Sequence, residues 1–180
     1  MVGNDIVDLH EAQLASNWER PRFLNKLFTE SEQRYIQDAK NPFQMVWRLW
    51  SMKEASYKLY TQQYPRRFYD PKGFECTFQN NSGTVKFKGF QSYVETKETS
   101  NYIISEARLH IQKWSSKVVK FKTVDQQDQS EELKTRLLNY VGSAYQLQKS
   151  ELDIPTLNNG KEQFHISLTH HGCYGAFAIG

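Results

Sequence analysis

The sequence predicts an α+β protein with mostly antiparallel sheet. Three observations carry that reading: two segments with helical apolar spacing near the start and one near the end, short runs rich in β-branched and aromatic residues between them, and a strong hairpin signal in the middle. The chain opens with Val2-Gly3-Asn4-Asp5-Ile6-Val7-Asp8-Leu9, whose alternation predicts a short strand with Asp5 at or near its end. Pro21 suits the first turn of a helix. Phe23, Leu24, Leu27, Phe28, Tyr35 and Ile36 follow at helical spacing until Asn41-Pro42 ends the run. A second helix is expected over 43–60, with Val46, Trp50 and Tyr57 along one stripe, broken by Tyr64-Pro65 and Asp70-Pro71. Strands over 74–79 and 84–90 flank Asn80-Asn81-Ser82-Gly83, a composition typical of hairpin turns. Strands over 93–97 and 102–114 follow.

A second half starts near Lys117 with an alternating strand over 117–124. The polar run 125–130 supplies a loop and a helix cap, and an amphipathic helix over 131–148 carries Leu133, Leu137, Leu138, Val141, Ala144 and Tyr145. Two short strands, 164–169 and 174–179, joined by His170-His171-Gly172-Cys173, close the chain.

Composition narrows the function. At 180 residues the chain suits one compact domain or two small lobes. A chain of this size buries roughly 70% of its unfolded surface, enough for a core without staples. Aromatic residues are abundant (4 Trp, 10 Tyr and 11 Phe), so the core is expected to be built from rings. No apolar run approaches the roughly 20 residues that span a bilayer, so no membrane partner is expected. Asp5, Asp8, Glu11 and Glu19 exclude a secretory signal or transit peptide from the first twenty residues. Two cysteines, Cys76 and Cys173, make neither a disulfide framework nor a four-ligand zinc site, which points to a reducing, cytoplasmic setting. A net charge of +3 from 23 basic and 20 acidic residues argues against nucleic acid as the main partner, while permitting a local basic pocket.

The densest cluster of reactive side chains is Trp50-Ser51-Met52-Lys53-Glu54-Ala55-Ser56-Tyr57-Lys58. On a helix Glu54 and Lys58 share a face, and the simplest reading is a surface ion pair contributing about 0.2–0.5 kcal/mol. Trp18, Trp47 and Trp50 nearby indicate a partly buried helix, where a charge pair is costly unless it has a task. Asp5, otherwise a turn cap or a solvent-facing acid, together with Glu54 could converge on a divalent cation. Two carboxylates, phosphate oxygens and water make a natural shell for Mg²⁺. His170-His171 reads as a structural or solvated pair in a turn, or as a donor to a phosphate oxyanion. Asn158-Asn159-Gly160-Lys161 reads first as a turn, with Lys161 the one group suggesting anion contact.

Gly3-Asn4-Asp5-Ile6, then the segment from Phe23 to Glu32, then Leu49-Trp50-Ser51-Met52-Lys53-Glu54-Ala55 with Lys58, resemble the 4′-phosphopantetheinyl transferase superfamily. Its members open with G-x-D and carry a W-[ST]-x-K-E-[AS]-x-x-K helix. The resemblance implies that family's fold: two similar lobes of antiparallel sheet with packed helices. In Sfp-type members a G-K-P turn and an S-H-S turn precede G-x-D. Here Asn159-Gly160-Lys161-Glu162 and Leu168-Thr169-His170-His171 resemble those turns but lie at the C-terminus. The order therefore resembles a circular permutation: a catalytic lobe over 1–114 with the metal-binding acids, then a nucleotide-binding lobe over 115–180. The shorter holo-acyl-carrier-protein synthase type, a homotrimer with sites between subunits, is the alternative. The extra strand and helix over 111–153 favour a complete site within one chain, and a monomer.

The resemblance implies transfer of 4′-phosphopantetheine from coenzyme A to a serine of an acyl or peptidyl carrier protein, with release of 3′,5′-ADP. It implies that Asp5 and Glu54 hold Mg²⁺ (or Mn²⁺) and that Glu54 is a candidate acceptor of the serine proton. Lys58 would contact the pyrophosphate. Lys53, Gly160, Lys161, Thr169 and His170 would contact coenzyme A, Thr169 and His170 at its 3′-phosphate and Gly160-Lys161 at its adenine. Arg20, Arg22 and Lys26 are candidate docking charges for an acidic carrier protein. Two departures stand out. Val7 replaces the second acid of the Sfp-type G-x-D-x-E, with Asp8 one residue out of register, and Glu162 replaces the proline of G-K-P. Val7 also motivates a rival reading, a non-catalytic coenzyme A- or carrier-binding module of the same fold.

Overall fold

Capping side chains decide where the helices begin. The computed structural model describes residues 1–123 and 125–180 and contains α1 (Leu9–Ala15), α2 (Phe23–Leu27), α3 (Glu30–Asp38), α4 (Pro42–Gln63) and α5 (Gln126–Val141). Asp8 accepts hydrogen bonds from the His10 and Glu11 amides and opens α1, a short helix that sequence reading did not anticipate. Thr29 accepts from the Glu32 amide while Glu32 accepts from the Thr29 amide. That reciprocal cap divides the single helix expected between Pro21 and Asn41 into α2 and α3. Pro42 lies inside the first turn of α4, where its missing N–H costs nothing, and Asn41 caps it through the Gln44 amide. Asp125 caps α5, so residues 126–130, expected as loop, are helical. The helix then stops before Gly142, whose φ of 91° breaks it seven residues short of the expected end at 148.

The strands form two five-stranded antiparallel sheets. The first contains β1 (Gly3–Asp8), β2 (Glu75–Gln79), β3 (Ser82–Phe87), β4 (Phe90–Glu98) and β5 (Tyr102–Arg108), in the order β1-β5-β4-β3-β2. The second contains β6 (Lys117–Lys120), β7 (Gln146–Lys149), β8 (Pro155–Asn158), β9 (Gln163–His171) and β10 (Tyr174–Ile179), in the order β6-β10-β9-β8-β7. Two of the three hairpin turns of the first sheet are two residues long, Asn80-Asn81 and Lys88-Gly89, with Asn80 and Lys88 in the left-handed region. The strand expected over 84–90 is thereby split at Lys88. β5 ends at Arg108, not 114, because the buried Glu106 carboxylate pulls the following loop back by accepting from the Ser115 and Ser116 amides. β6 pairs with β10 only as far as Lys120, and Val124, the end of the expected strand, lies outside the described residues. β7 and β8 are additions to the expected set. β9 extends through both histidines, so the connection to β10 is Gly172-Cys173 alone.

α4, about 33 Å long at 1.5 Å per residue, covers the first sheet. Its Val46, Leu49, Met52, Ala55 and Leu59 are buried in one cluster with Val7, Val85, Val94, Ile103 and Ala107. The expected ring-rich core is found beside it, where Tyr60, Phe68, Phe74, Phe87 and Phe90 meet, with Phe74 and Phe87 stacked at 4.3 Å. α5 covers the second sheet through Leu133 and Leu137, packed with Phe121, Leu157, Ile166 and Phe177. Ile6, Ile104, Tyr174 and Ala176 bury a smaller seam between the sheets.

Across that seam the unpaired edge of β1 is satisfied by side chains. The amides of Asn4, Ile6 and Asp8 donate to Ser167 Oγ (2.9 Å), Thr169 Oγ1 (3.3 Å) and His171 Nδ1 (3.0 Å). Each rung joins residues 163 apart, so alternate side chains of β9 stand in for the carbonyls of a missing neighbour strand. Met1 and Gly180 also lie side by side: a Cβ built on Gly180 would sit 2.7 Å from the Met1 carbonyl carbon.

Candidate active site

Gly3 explains how the two acids come together. A Cβ on this residue would stand 1.9 Å from the Ala55 carbonyl oxygen and 2.7 Å from the Leu59 amide nitrogen. Only glycine lets α4 lie directly on β1. Asp5, two residues on, is then brought against Lys58, whose ammonium donates to Asp5 Oδ1 at 3.0 Å and to the Asn4 carbonyl at 2.9 Å. The expected Glu54–Lys58 surface pair does not form among the described residues; Lys58 pairs instead with Asp5 on β1.

Glu54 is left without a hydrogen bond or ion pair among the described residues, and its carboxyl is pushed up to about 7. Burial is the main cause, the Asp5 charge adds to it, and Lys58 opposes both. Asp5 uses only Oδ1, toward Lys58 and Thr169, so its Oδ2 and both Glu54 oxygens have no protein partner among the described residues. Two mutually repelling carboxylates with three free oxygens fit a hard divalent cation that completes its shell with ligand oxygens and water. No group of three or more His, Cys, Asp and Glu side chains suited to a metal occurs among the described residues, so phosphate and water would supply the rest. Val7 points into the core and Asp8 is consumed by capping α1 and by the Cys173 amide.

Two hollows flank this pair. One, about 400 Å³, lies between α4 and the second lobe and is lined by Lys58, Arg66, Arg67, Lys134, Lys149 and His170. Burial, the Lys58 charge and then His171 lower the His170 pKa, so it is neutral at pH 7 and can donate one ring N–H. Across the mouth, Arg67 bonds the Asp153 carboxylate and the Leu152 carbonyl. The other hollow, about 280 Å³, is lined by Glu54 with Trp50, Phe68, Tyr69 and Asp70, and Tyr57 borders both. A cationic hollow next to a paired-carboxylate site suits a polyphosphate whose bridge is to be cut beside a cation.

A family model described as the 4′-phosphopantetheinyl transferase superfamily (ACPS) matches residues 1–111. The chain belongs to that superfamily. Among solved structures it is similar to the apo-ACPS structure from Chronobacterium ammoiniagenes, with 17% identity, 59% of this chain and 93% of that one covered, and a TM-score of 0.48. It is also similar to the holo-[acyl-carrier-protein] synthase (AcpS) of Thermotoga maritima, with 15% identity, 83% and 77% covered, and a TM-score of 0.44. No curated protein matches the chain. No helix among the described residues is long and apolar enough to cross a membrane.

Within this superfamily member, the predicted site residues fall into two groups. Asp5, Glu54, Lys58 and His170 surround one locus. The other expected residues are placed elsewhere. Thr169 does not face the hollow; it is buried, and its hydroxyl accepts from the Ile6 amide and donates to Asp5 Oδ1. Lys53 is 1% exposed and gives its protons to Glu32 and to the Pro71 and Phe74 carbonyls, so it ties α4 to α3 and to the start of β2 while bordering the Glu54 hollow. Gly160 and Lys161 line neither hollow. Their turn is closed on itself by Asn158 and Asn159, and Lys161 precedes β9 while His170 lies seven residue steps along that strand from its start, roughly 23 Å. Conversely, Arg66, Arg67, Lys134, Lys149 and Tyr57 were missed as site residues. Arg66-Arg67 is a visible basic doublet after a proline; the two lysines give no sign in the sequence.

Proposed function

We propose that the protein transfers 4′-phosphopantetheine from coenzyme A to a serine of an acyl or peptidyl carrier protein and releases 3′,5′-ADP. The observation that carries this reading is the Asp5–Lys58–Glu54 cluster opening beside a cationic hollow of nucleotide size. Residues 1–114 act as the catalytic lobe and 115–180 as the nucleotide-binding lobe, both in one chain. Asp5 and Glu54 would hold Mg²⁺ or Mn²⁺, an ion that offsets the pyrophosphate charge when bound.

In this reading Lys58 leaves Asp5 for the pyrophosphate, because a flexible ammonium follows the denser negative charge. His170 donates to a phosphate oxygen, and Arg66, Lys134 and Lys149 surround the nucleotide with positive charge. The serine oxygen attacks the β-phosphorus as the bond to the bridging oxygen breaks. The electron pair departs with 3′,5′-ADP. Glu54, with its carboxyl near 7, can take the serine proton at neutral pH, directly or through water. That role and cation binding compete for one carboxylate, which makes pH the variable that separates them. Arg20, Arg22 and Lys26, around a hollow that shares Trp50 and Tyr69 with the Glu54 hollow, would meet the acidic carrier protein. Since a single chain contributes every group named, a monomer suffices, and sedimentation distinguishes it from a homotrimer.

The test is the intact mass of an apo carrier protein after incubation with the protein, coenzyme A and Mg²⁺. Gain of one phosphopantetheine is expected. Val7 in the place of a second acid favours one other reading, a module that binds coenzyme A or a carrier protein without turnover. Binding of coenzyme A that ignores Mg²⁺, with no mass gain on any carrier, would establish that reading instead.

A further inference from the structure

The Thr169 hydroxyl is the one uncharged donor on the Asp5 carboxylate among the described residues. It lies 3.0 Å from Oδ1, is buried, and comes from the opposite lobe. The same oxygen accepts from the Ile6 amide at 3.3 Å. A hydroxyl has one proton and two lone pairs, so with the amide on a lone pair the proton is directed at Asp5. The other two rungs of the seam lack this second connection. Ser167 and His171 accept from Asn4 and Asp8 and reach no acidic side chain of the site.

We propose that Thr169 is the positioning residue of the cation site: it clamps Oδ1 of Asp5 so that Oδ2 stays turned to the ion. The inference rests on the cation reading above. The other donor on Oδ1, Lys58, sits on a flexible stem, and in that reading it turns to the incoming pyrophosphate. Thr169 then remains as the fixed donor, held by a backbone amide that does not move with ligand. Outer-sphere hydrogen bonds of this kind orient a ligating carboxylate and change metal affinity by about 10–100-fold when removed. The clamp also makes the site depend on the lobe seam, because the acid belongs to β1 and its clamp to β9.

The test is Mn²⁺ binding to the protein at saturating coenzyme A, corrected for a protein-free blank and followed by loss of the free-ion electron paramagnetic resonance signal, with folding checked by thermal melting. Thr169→Val keeps the shape and removes the proton; its Mn²⁺ Kd is expected to rise about tenfold. Thr169→Ser restores the hydroxyl and is expected to bind as the wild type does. Ser167→Ala loses a neighbouring rung of the seam without touching Asp5, and its Kd is expected to stay unchanged. Equal Kd values for wild type and Thr169→Val overturn the clamp. So does equal weakening by Thr169→Val and Ser167→Ala, which would make the effect one of seam integrity. A wild type that binds no Mn²⁺ at Asp5, shown by identical behaviour of Asp5→Asn, overturns the cation reading and the clamp with it.

Discussion

Lys58 bypasses Glu54, its neighbour one turn back on α4, and bonds Asp5 on β1 at 3.0 Å. In the proposed function this ammonium turns from Asp5 to the pyrophosphate. Lys58→Ala removes a donor to the developing charge of the transferred group. A fall in kcat on the order of 10²–10³-fold is expected, with the melting temperature little changed. A kcat within a few-fold of wild type would assign Lys58 to structure alone.

Gly3→Ala places a methyl group against the Ala55 carbonyl and the Leu59 amide, backbone atoms that cannot swing aside. α4 must lift from β1, and overpacking of this sort destabilises by roughly 1–3 kcal/mol or more. Because the lift also parts Glu54 and Lys58 from Asp5, the variant is expected to lose activity even at temperatures where it is folded. Chemical denaturation and single-turnover transfer on the same preparation read the two effects separately.

The Glu54 carboxyl predicts an unusual pH response. Unfolded, it releases its proton near 4.5; folded and metal-free, it keeps the proton up to about 7. Between those values the native state binds more protons than the unfolded state, so metal-free stability falls as pH rises and levels off above about 7. The swing from this group is roughly 3 kcal/mol. Glu54→Gln is expected to abolish it in urea titrations run from pH 5 to pH 8. Cation binding competes with the same proton, so metal affinity of the wild type should rise through pH 7 and then plateau.

Glu32 and Lys53 form a buried pair at 2.8 Å that also receives the Thr29 and Cys76 amides and reaches two backbone carbonyls. Lys53→Met strands the Glu32 carboxylate in the core, at an expected 3–5 kcal/mol of destabilisation, to be read by urea unfolding. The transferred-group kinetics of the folded fraction should be close to wild type, since the Lys53 ammonium is committed to Glu32 and two backbone carbonyls. A selective rise in KM for coenzyme A would return Lys53 to the binding site.

The parts of the site that the sequence discloses are local ones. The strand bearing Asp5 and the helix bearing Glu54 and Lys58 are set by alternation and by apolar spacing within a dozen residues, and their convergence was readable from two short motifs. What stayed hidden depends on long-range pairing. Thr169 looks like a ligand contact in its turn-like context and becomes an Asp5 donor only because β9 lies along β1. Lys53, one residue from Glu54, is turned about 100° round α4 and meets Glu32. The 125–130 run is polar enough to read as loop, yet Asp125 caps a helix there; Gln146–Lys149 carries the tail of a helical pattern, yet Gly142 frees it to become an edge strand. Local propensity is a weak prior where a cap or a left-handed glycine decides.

The most direct measurement is the anomalous scattering of crystals of the protein with coenzyme A and Mn²⁺. A manganese peak touching both Asp5 and Glu54, with the pyrophosphate beside Lys58 and the nucleotide in the hollow of Arg66 and His170, is the predicted result. A peak elsewhere, or coenzyme A bound with its pyrophosphate away from Lys58, would contradict it.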